Sequence, residues 1–252
     1  IARPGLLYER DYIMNEADFL YANRDVLKSA NGTFLGHCLA HNNKSQSQNF
    51  QDVWAGYRNG FERALYFVEF GATDGIEGSN TYLLENTYNW VGILAEPNPV
   101  WHDGLVRNRH CITSTECVWT ETGKTLEFLK VQEAQLSTIK GFGEGDEHSD
   151  KRKKSESIKV DTISLIDLLK KYGAPRDIGY MSVDTEGSEY DILNAFFRNP
   201  LSEKYNIRCI TVEHNHMPAN RQRLYDLLTE HGYKREFEIF SRWDDFYVKD
   251  FK

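Results

Sequence analysis

Two groups of residues are of types that can do chemistry. One is Glu69 to Gly75, where a carboxylate and a glycine turn (Gly71-Ala72-Thr73-Asp74-Gly75) follow the apolar run Phe67, Val68, Phe70. Glycine lets the backbone approach a ligand closely, and a carboxylate at a strand end holds a polar or cationic group, so this is a cradle for a nucleotide-type cofactor. The other is a set of proton-transferring and metal-holding side chains late in the chain: Asp184, Glu186, Glu213, His214 and His216.

The elements that must position these residues read as alternating strands and helices. Strands are expected at 66–70, 90–95, 111–118, 178–183 and 207–212, and helices at 80–86, 99–106, 164–172, 188–197 and 221–231. Ser188 reads as an N-cap followed by an acidic first turn. The run 125–130 is expected to pair with the third strand across the turn Thr122-Gly123, and 236–239 with 245–248 as a closing antiparallel pair. This alternation predicts an α/β chain with a mostly parallel sheet of seven strands, covered by helices on both faces. Upstream, 16–30 reads as an amphipathic helix ended by Asn31-Gly32, and 46–63 as a second helical stretch. Residues 1–63 are therefore expected as a helical extension or cap and 64–252 as the main domain. The polar stretch 132–157 is expected as a lid.

In such sheets ligands bind at the carboxyl ends of the strands. Here those ends carry Glu69 and Asp74, Glu96, Glu116, Asp184 with Glu186, and Glu213, which together describe an acidic cleft. Glu96, at the end of the second strand, suits the two hydroxyls of an adenosine ribose. Both NAD and S-adenosylmethionine have one. A dinucleotide loop favours G-x-G-x-x-G under a pyrophosphate. The loop here is G-A-T-D-G-I-E-G, whose Asp74 and Glu77 repel a pyrophosphate and suit a sulfonium and an ammonium. Charge therefore favours S-adenosylmethionine.

The segments FVEFGATDGIEGSNTYLLE (67–85), WVGILAEPNP (90–99), VDTISLIDLL (160–169), IGYMSVDTEGSEYDIL (178–193) and ITVEHNH (210–216), preceded by SQNFQD (47–52), resemble the FkbM family of S-adenosylmethionine-dependent methyltransferases. The resemblance implies a Rossmann-like class I methyltransferase fold and O-methylation of a hydroxyl, with a saccharide or glycan-type acceptor. It implies a donor pocket of Glu69, Gly71, Asp74 and Gly75, with Ser79, Asn80 and Thr81 reaching the methionine moiety. Glu96 would bind the ribose, and Glu116 and Cys117 would lie near the adenine. A hydroxyl must lose its proton to accept a methyl group. Two arrangements serve: a histidine base oriented by a carboxylate, or Asp184 and Glu213, with His214 or Glu186, holding Mg2+ or another divalent cation. The second resembles metal-dependent sugar O-methyltransferases. An NAD-linked oxidoreductase and a non-catalytic S-adenosylmethionine-binding module are the alternatives.

Composition narrows the classes further. The 252 residues carry a net charge of -8, which does not suit a nucleic-acid surface. No apolar run approaches the ~20 residues a bilayer span needs. Cys38, Cys111, Cys117 and Cys209 form no CxxC pair, as expected of reduced thiols in a cytoplasmic protein. Ile1, in place of Met, suits a piece of a longer chain. The basic run 151–154 reads as solvated. Trp54, Trp90, Trp101 and Trp119 read as core, and Trp243 as an exposed sugar platform.

Overall fold

Alternate residues of each central strand face opposite ways, and this divides the core into two layers. Val68, Ile93, Met181 and Ile210 pack with helices on one side of the sheet. Phe67, Leu94, Tyr180 and Cys209 pack with the N-terminal helices on the other. In the computed structural model, which describes residues 32–142, 149–238 and 240–250, the strands are β1 (Tyr66–Phe70), β2 (Val91–Ala95), β3 (Ile112–Ser114), β4 (Cys117–Trp119), β5 (Thr125–Lys130), β6 (Thr138–Ile139), β7 (Glu156–Ser164), β8 (Asp177–Val183), β9 (Asn206–Glu213), β10 (Lys234–Glu236) and β11 (Asp244–Val248). The helices are α1 (Gly32–His41), α2 (Gln51–Arg58), α3 (Tyr82–Tyr88), α4 (Pro99–Asn108), α5 (Ser149–Arg152), α6 (Leu165–Lys171), α7 (Glu189–Arg198) and α8 (Pro218–Glu230).

The main sheet has seven strands in the order β10-β11-β9-β8-β1-β2-β3. It is the Rossmann-like methyltransferase arrangement expected from the sequence. The sheet is mixed rather than purely parallel: β11 runs antiparallel to both β9 and β10, which is the closing pair read from the sequence. Parallel pairing joins β3, β2, β1, β8 and β9, so their carboxyl ends share one edge.

Several local expectations need correction. The third strand is two strands in two sheets: β3 closes the main sheet, while β4 joins a four-stranded sheet of order β4-β7-β5-β6. There β5 pairs with β7 and β6, not with β4. The small sheet has its own core of Cys117, Phe128, Ile139 and Val160, which the break at Thr115-Glu116 makes possible. Strand β7 lies partly in the stretch read as a lid, because its first half alternates between charged and small residues and looks like loop. Gly32 opens helix α1. Phe34, Leu35 and Cys38 bury that helix despite its two glycines. At Ser188 the side chain makes no cap bond. Glu189 Oε1 caps the turn instead, accepting from Thr185 N at 2.9 Å and Gly187 N at 2.9 Å. The expected helix 16–30, residues 143–148 of the expected lid and Ile239 lie outside the described residues. Among the described residues no helix is long and apolar enough to cross a membrane. All four cysteines are free thiols.

Candidate active site

The glycine turn is built around one close approach of two backbones. Gly71 has φ 71°, and a Cβ on it would lie 2.1 Å from the Asp184 carbonyl oxygen. Only glycine lets the ends of β1 and β8 meet in this way. Beyond it, Asp74 turns its carboxylate into the loop, where Oδ1 accepts from Ile76 N at 2.9 Å and Glu77 N at 3.0 Å. Glu96 ties the loop to β2: Oε2 accepts from Thr73 N at 3.0 Å and Oε1 from Asn98 N at 2.7 Å. Burial pushes its carboxyl up to about 7, against these two hydrogen bonds.

Over the carboxyl ends of β1, β2, β8 and β9 lies a cavity of about 440 Å³. One half is walled by Gly71, Thr73, Asp74, Asn80, Glu96, Trp101 and Cys117, the other by Asp184, Glu186, Glu213, Asn215 and Trp243. Gln48 and Gln51, from α2 and its approach, add amides to the second half, and residues 133–137 with Ile139 and Lys151 cover the top. That cover is fastened at both ends. Asn98 Nδ2 donates to Ser137 Oγ at 3.2 Å, and Thr138 Oγ1 donates to the Glu186 carbonyl at 2.9 Å.

Seven of the residues singled out in the sequence do not line the cavity. Glu69, Ser79 and Thr81 are buried behind the loop, hydrogen-bonded to one another, and Gly75 backs onto Arg109. Glu116 faces out to Lys171. His214 points away as well: its Nε2 donates to Ser241 Oγ at 3.4 Å, and its Nδ1 accepts from His216 N at 3.2 Å. Burial lowers its pKa to about 4, opposed by Asp245. His214 neither lines the cavity nor belongs to the carboxylate group that could hold a cation. The odd residue of a strand-end pair faces the opposite side of the sheet from Glu213. His216 is exposed, with its ring 6.2 Å from that of Trp243.

The acids at the second half do converge. Asp184, Glu186 and Glu213 can each bring an oxygen within 4.8 Å of the others. Burial first, and Asp244 second, push Asp184 up to about 8; burial and Asp184 push Glu186 up to about 8, against Arg152. Glu213 is raised well above the usual carboxylate range by burial and by Asp184. Its Oε2 is buried without a hydrogen-bond partner, as is the Oδ1 of Asn80, which also lines the cavity. A partner outside the protein is the natural complement of such atoms.

Sequence reasoning missed Arg152, taken there for part of a solvated run. It is 5% exposed, and its Nη2 donates to Glu186 Oε2 at 2.6 Å while its Nε donates to the Leu136 carbonyl at 2.9 Å. Nothing in a run of four basic residues says which one turns inward. Arg109, Asn215 and Asp244 were also missed, because their partners are set by packing rather than by spacing along the chain. Gln48 and Gln51 lie in the SQNFQD segment, the one signal that could have found them.

The family model described as Methyltransferase FkbM domain matches residues 69–235, from β1 to β10. The chain belongs to the FkbM methyltransferase family. As a member, it is a methyltransferase. No curated protein matches the chain. Among solved structures, FkbM methyltransferase from Methylobacillus flagellatus KT is 15% identical with a TM-score of 0.47, over 77% of this chain and 47% of that one. Precorrin-6y C5,15-methyltransferase from Geobacter metallireducens GS-15 is 11% identical with a TM-score of 0.41, over 78% of this chain and 84% of that one. A human methyltransferase 10 domain containing protein is 11% identical with a TM-score of 0.43, over 88% and 96%. The FkbM cavity suits a cationic donor: a buried Glu96 carboxylate, an unpartnered Asn80 oxygen and a close glycine turn lie in one half of it.

Proposed function

We propose that this FkbM methyltransferase transfers the methyl group of S-adenosylmethionine to a hydroxyl of a saccharide or glycan-type acceptor. The observation that carries this reading is a single cavity with Glu96 in one half and the Asp184–Glu213 pair in the other. S-adenosylmethionine supplies a methyl group on a sulfonium. Glu96 accepts the ribose hydroxyls, and Asn80 Oδ1 accepts from the ammonium. Asp184, its proton affinity raised by burial into the neutral range, takes the acceptor's hydroxyl proton, with Glu213 beside it. Trp243 offers a ring face and Gln48 and Asn215 offer amides, the groups that recognise a polyol. The cavity's carboxylates oppose a pyrophosphate, which disfavours the NAD-linked reading. In this proposal residues 64–252 are the catalytic unit. The extension contributes Gln48 and Gln51 to the cavity wall, and residues 133–137 lie over it.

A second reading is favoured by the bare Oε2 of Glu213. Asp184, Glu186 and Glu213 would hold a divalent cation that lowers the hydroxyl pKa. Arg152, already paired with Glu186, competes with it. Calorimetry with S-adenosylhomocysteine and NAD tests the donor: the first is expected to bind, and binding of NAD alone overturns the proposal. Transfer to a panel of glycosides tests the acceptor. EDTA-sensitive transfer restored by Mg2+ decides for the cation, and EDTA-insensitive transfer for the carboxylates acting without one.

A further inference from the structure

We infer that Arg109 is a positioning residue for the amino-acid end of the donor, acting with Glu69 to hold Asn80 on the cavity wall. This rests on the donor assignment above.

Arg109 caps the end of α4 and is 4% exposed. Its guanidinium reaches under the glycine loop. Nη1 donates to the Gly75 carbonyl at 3.1 Å and to Ser79 Oγ at 3.0 Å, and Nη2 donates to Thr81 Oγ1 at 2.9 Å. Nε pairs with Glu85, and the Glu69 carboxylate lies 3.9 Å away. Phe67 lies against it, with the guanidinium carbon 5.5 Å from the ring centre. The two hydroxyls relay this charge to Glu69: Ser79 Oγ donates to Glu69 Oε2 at 3.1 Å, and Thr81 Oγ1 donates to the same oxygen. The other oxygen, Oε1, accepts from Asn80 N at 2.7 Å.

Asn80 is thus gripped by its backbone from behind. Its side-chain Nδ2 donates to Ser182 Oγ at 2.9 Å, leaving Oδ1 buried and unpartnered. Every other polar atom of this network has a partner inside the protein, so Oδ1 is the one acceptor the network presents to a ligand. The same packing explains Gly75. A Cβ there would lie 2.6 Å from Arg109 Cγ and 2.9 Å from Leu105 Cδ1. Gly75 makes room for Arg109, not for the ligand. Lysine cannot replace the arginine, because one ammonium cannot span three acceptors held in a fixed fork.

Calorimetry with two ligands tests this. S-adenosylhomocysteine carries the amino-acid end. 5′-Methylthioadenosine has the same adenosine and thioether but lacks it. Arg109→Lys is expected to weaken S-adenosylhomocysteine about tenfold or more and 5′-methylthioadenosine less than about twofold. Thr81→Val, which removes one hydroxyl at nearly constant volume, should show the same contrast to a smaller extent, and it serves alone if Arg109→Lys does not fold. Equal losses for both ligands mean a general structural role and overturn the inference, as does no loss for either. A wild-type protein that binds neither ligand overturns the donor assignment itself, and with it this inference.

Discussion

Replacing Gly71 by alanine probes the contact on which the whole site is built. An L-residue at φ 71° costs on the order of 1 kcal/mol or more. The added Cβ would lie 2.1 Å from the Asp184 carbonyl oxygen, a backbone atom that cannot rotate away. Relief requires β1 and β8 to separate at the Phe70–Val183 pair, an overpacking strain of about 1–3 kcal/mol. The expected loss is therefore about 2–4 kcal/mol in urea denaturation. Because Asp184 and Asn80 flank this point, a loss of S-adenosylhomocysteine affinity should accompany it. Gly123→Ala is the control. Gly123 has φ 81° with nothing within 4 Å of its would-be Cβ, so it should cost only about 1 kcal/mol and leave binding intact. If Gly71→Ala costs no more than Gly123→Ala and binds S-adenosylhomocysteine normally, the close approach is not what shapes the site.

Glu96 gives a pH signature. Its carboxyl is raised to about 7 in the folded protein, so the folded state holds this proton more tightly than the unfolded chain. Stability from this group is greatest below its unfolded value and falls as pH rises toward about 7, by a few kcal/mol at most. Urea midpoints measured from about pH 5 to about pH 8 should fall more steeply for the wild type than for Glu96→Gln; parallel slopes would contradict the assignment. His214→Gln should keep transfer within a few-fold of wild type, since the ring faces Ser241 and Asp245 rather than the cavity. A hundredfold loss of turnover without a loss of stability would put the histidine back in the chemistry.

The parts of the fold that could be read from sequence were those where burial enforces a period. The runs at 67–70, 92–95, 178–183 and 207–212 are buried on both faces of the sheet almost throughout, and their apolar character survives any local context. Strands β3, β4 and β7 were misread because they are short or charged. Their identity depends on which sheet they join, which is a tertiary fact. The site divides in the same way. Asp184, Glu186 and Glu213 were legible because strand ends of a parallel sheet must share one edge. Glu69, Ser79 and Thr81 share the loop with true cavity residues, but the strand's alternation sends Glu69 to the opposite face from Phe70, where Ser79, Thr81 and the Asn80 amide donate to it and Arg109 lies close by. Arg109 and Arg152 come from elements far along the chain, and no spacing announces an arginine whose partner is set by packing.

The most direct test of the central claim is methyl transfer from isotope-labelled S-adenosylmethionine to a panel of free saccharides and glycosides, with wild type and Asp184→Asn side by side. The expected result is label on an acceptor hydroxyl with the wild type and a loss of about a hundredfold or more in turnover with Asp184→Asn, while S-adenosylhomocysteine still binds the variant. Equal transfer by the two proteins would contradict the claim that the carboxylate at the end of β8 faces the acceptor and takes its proton.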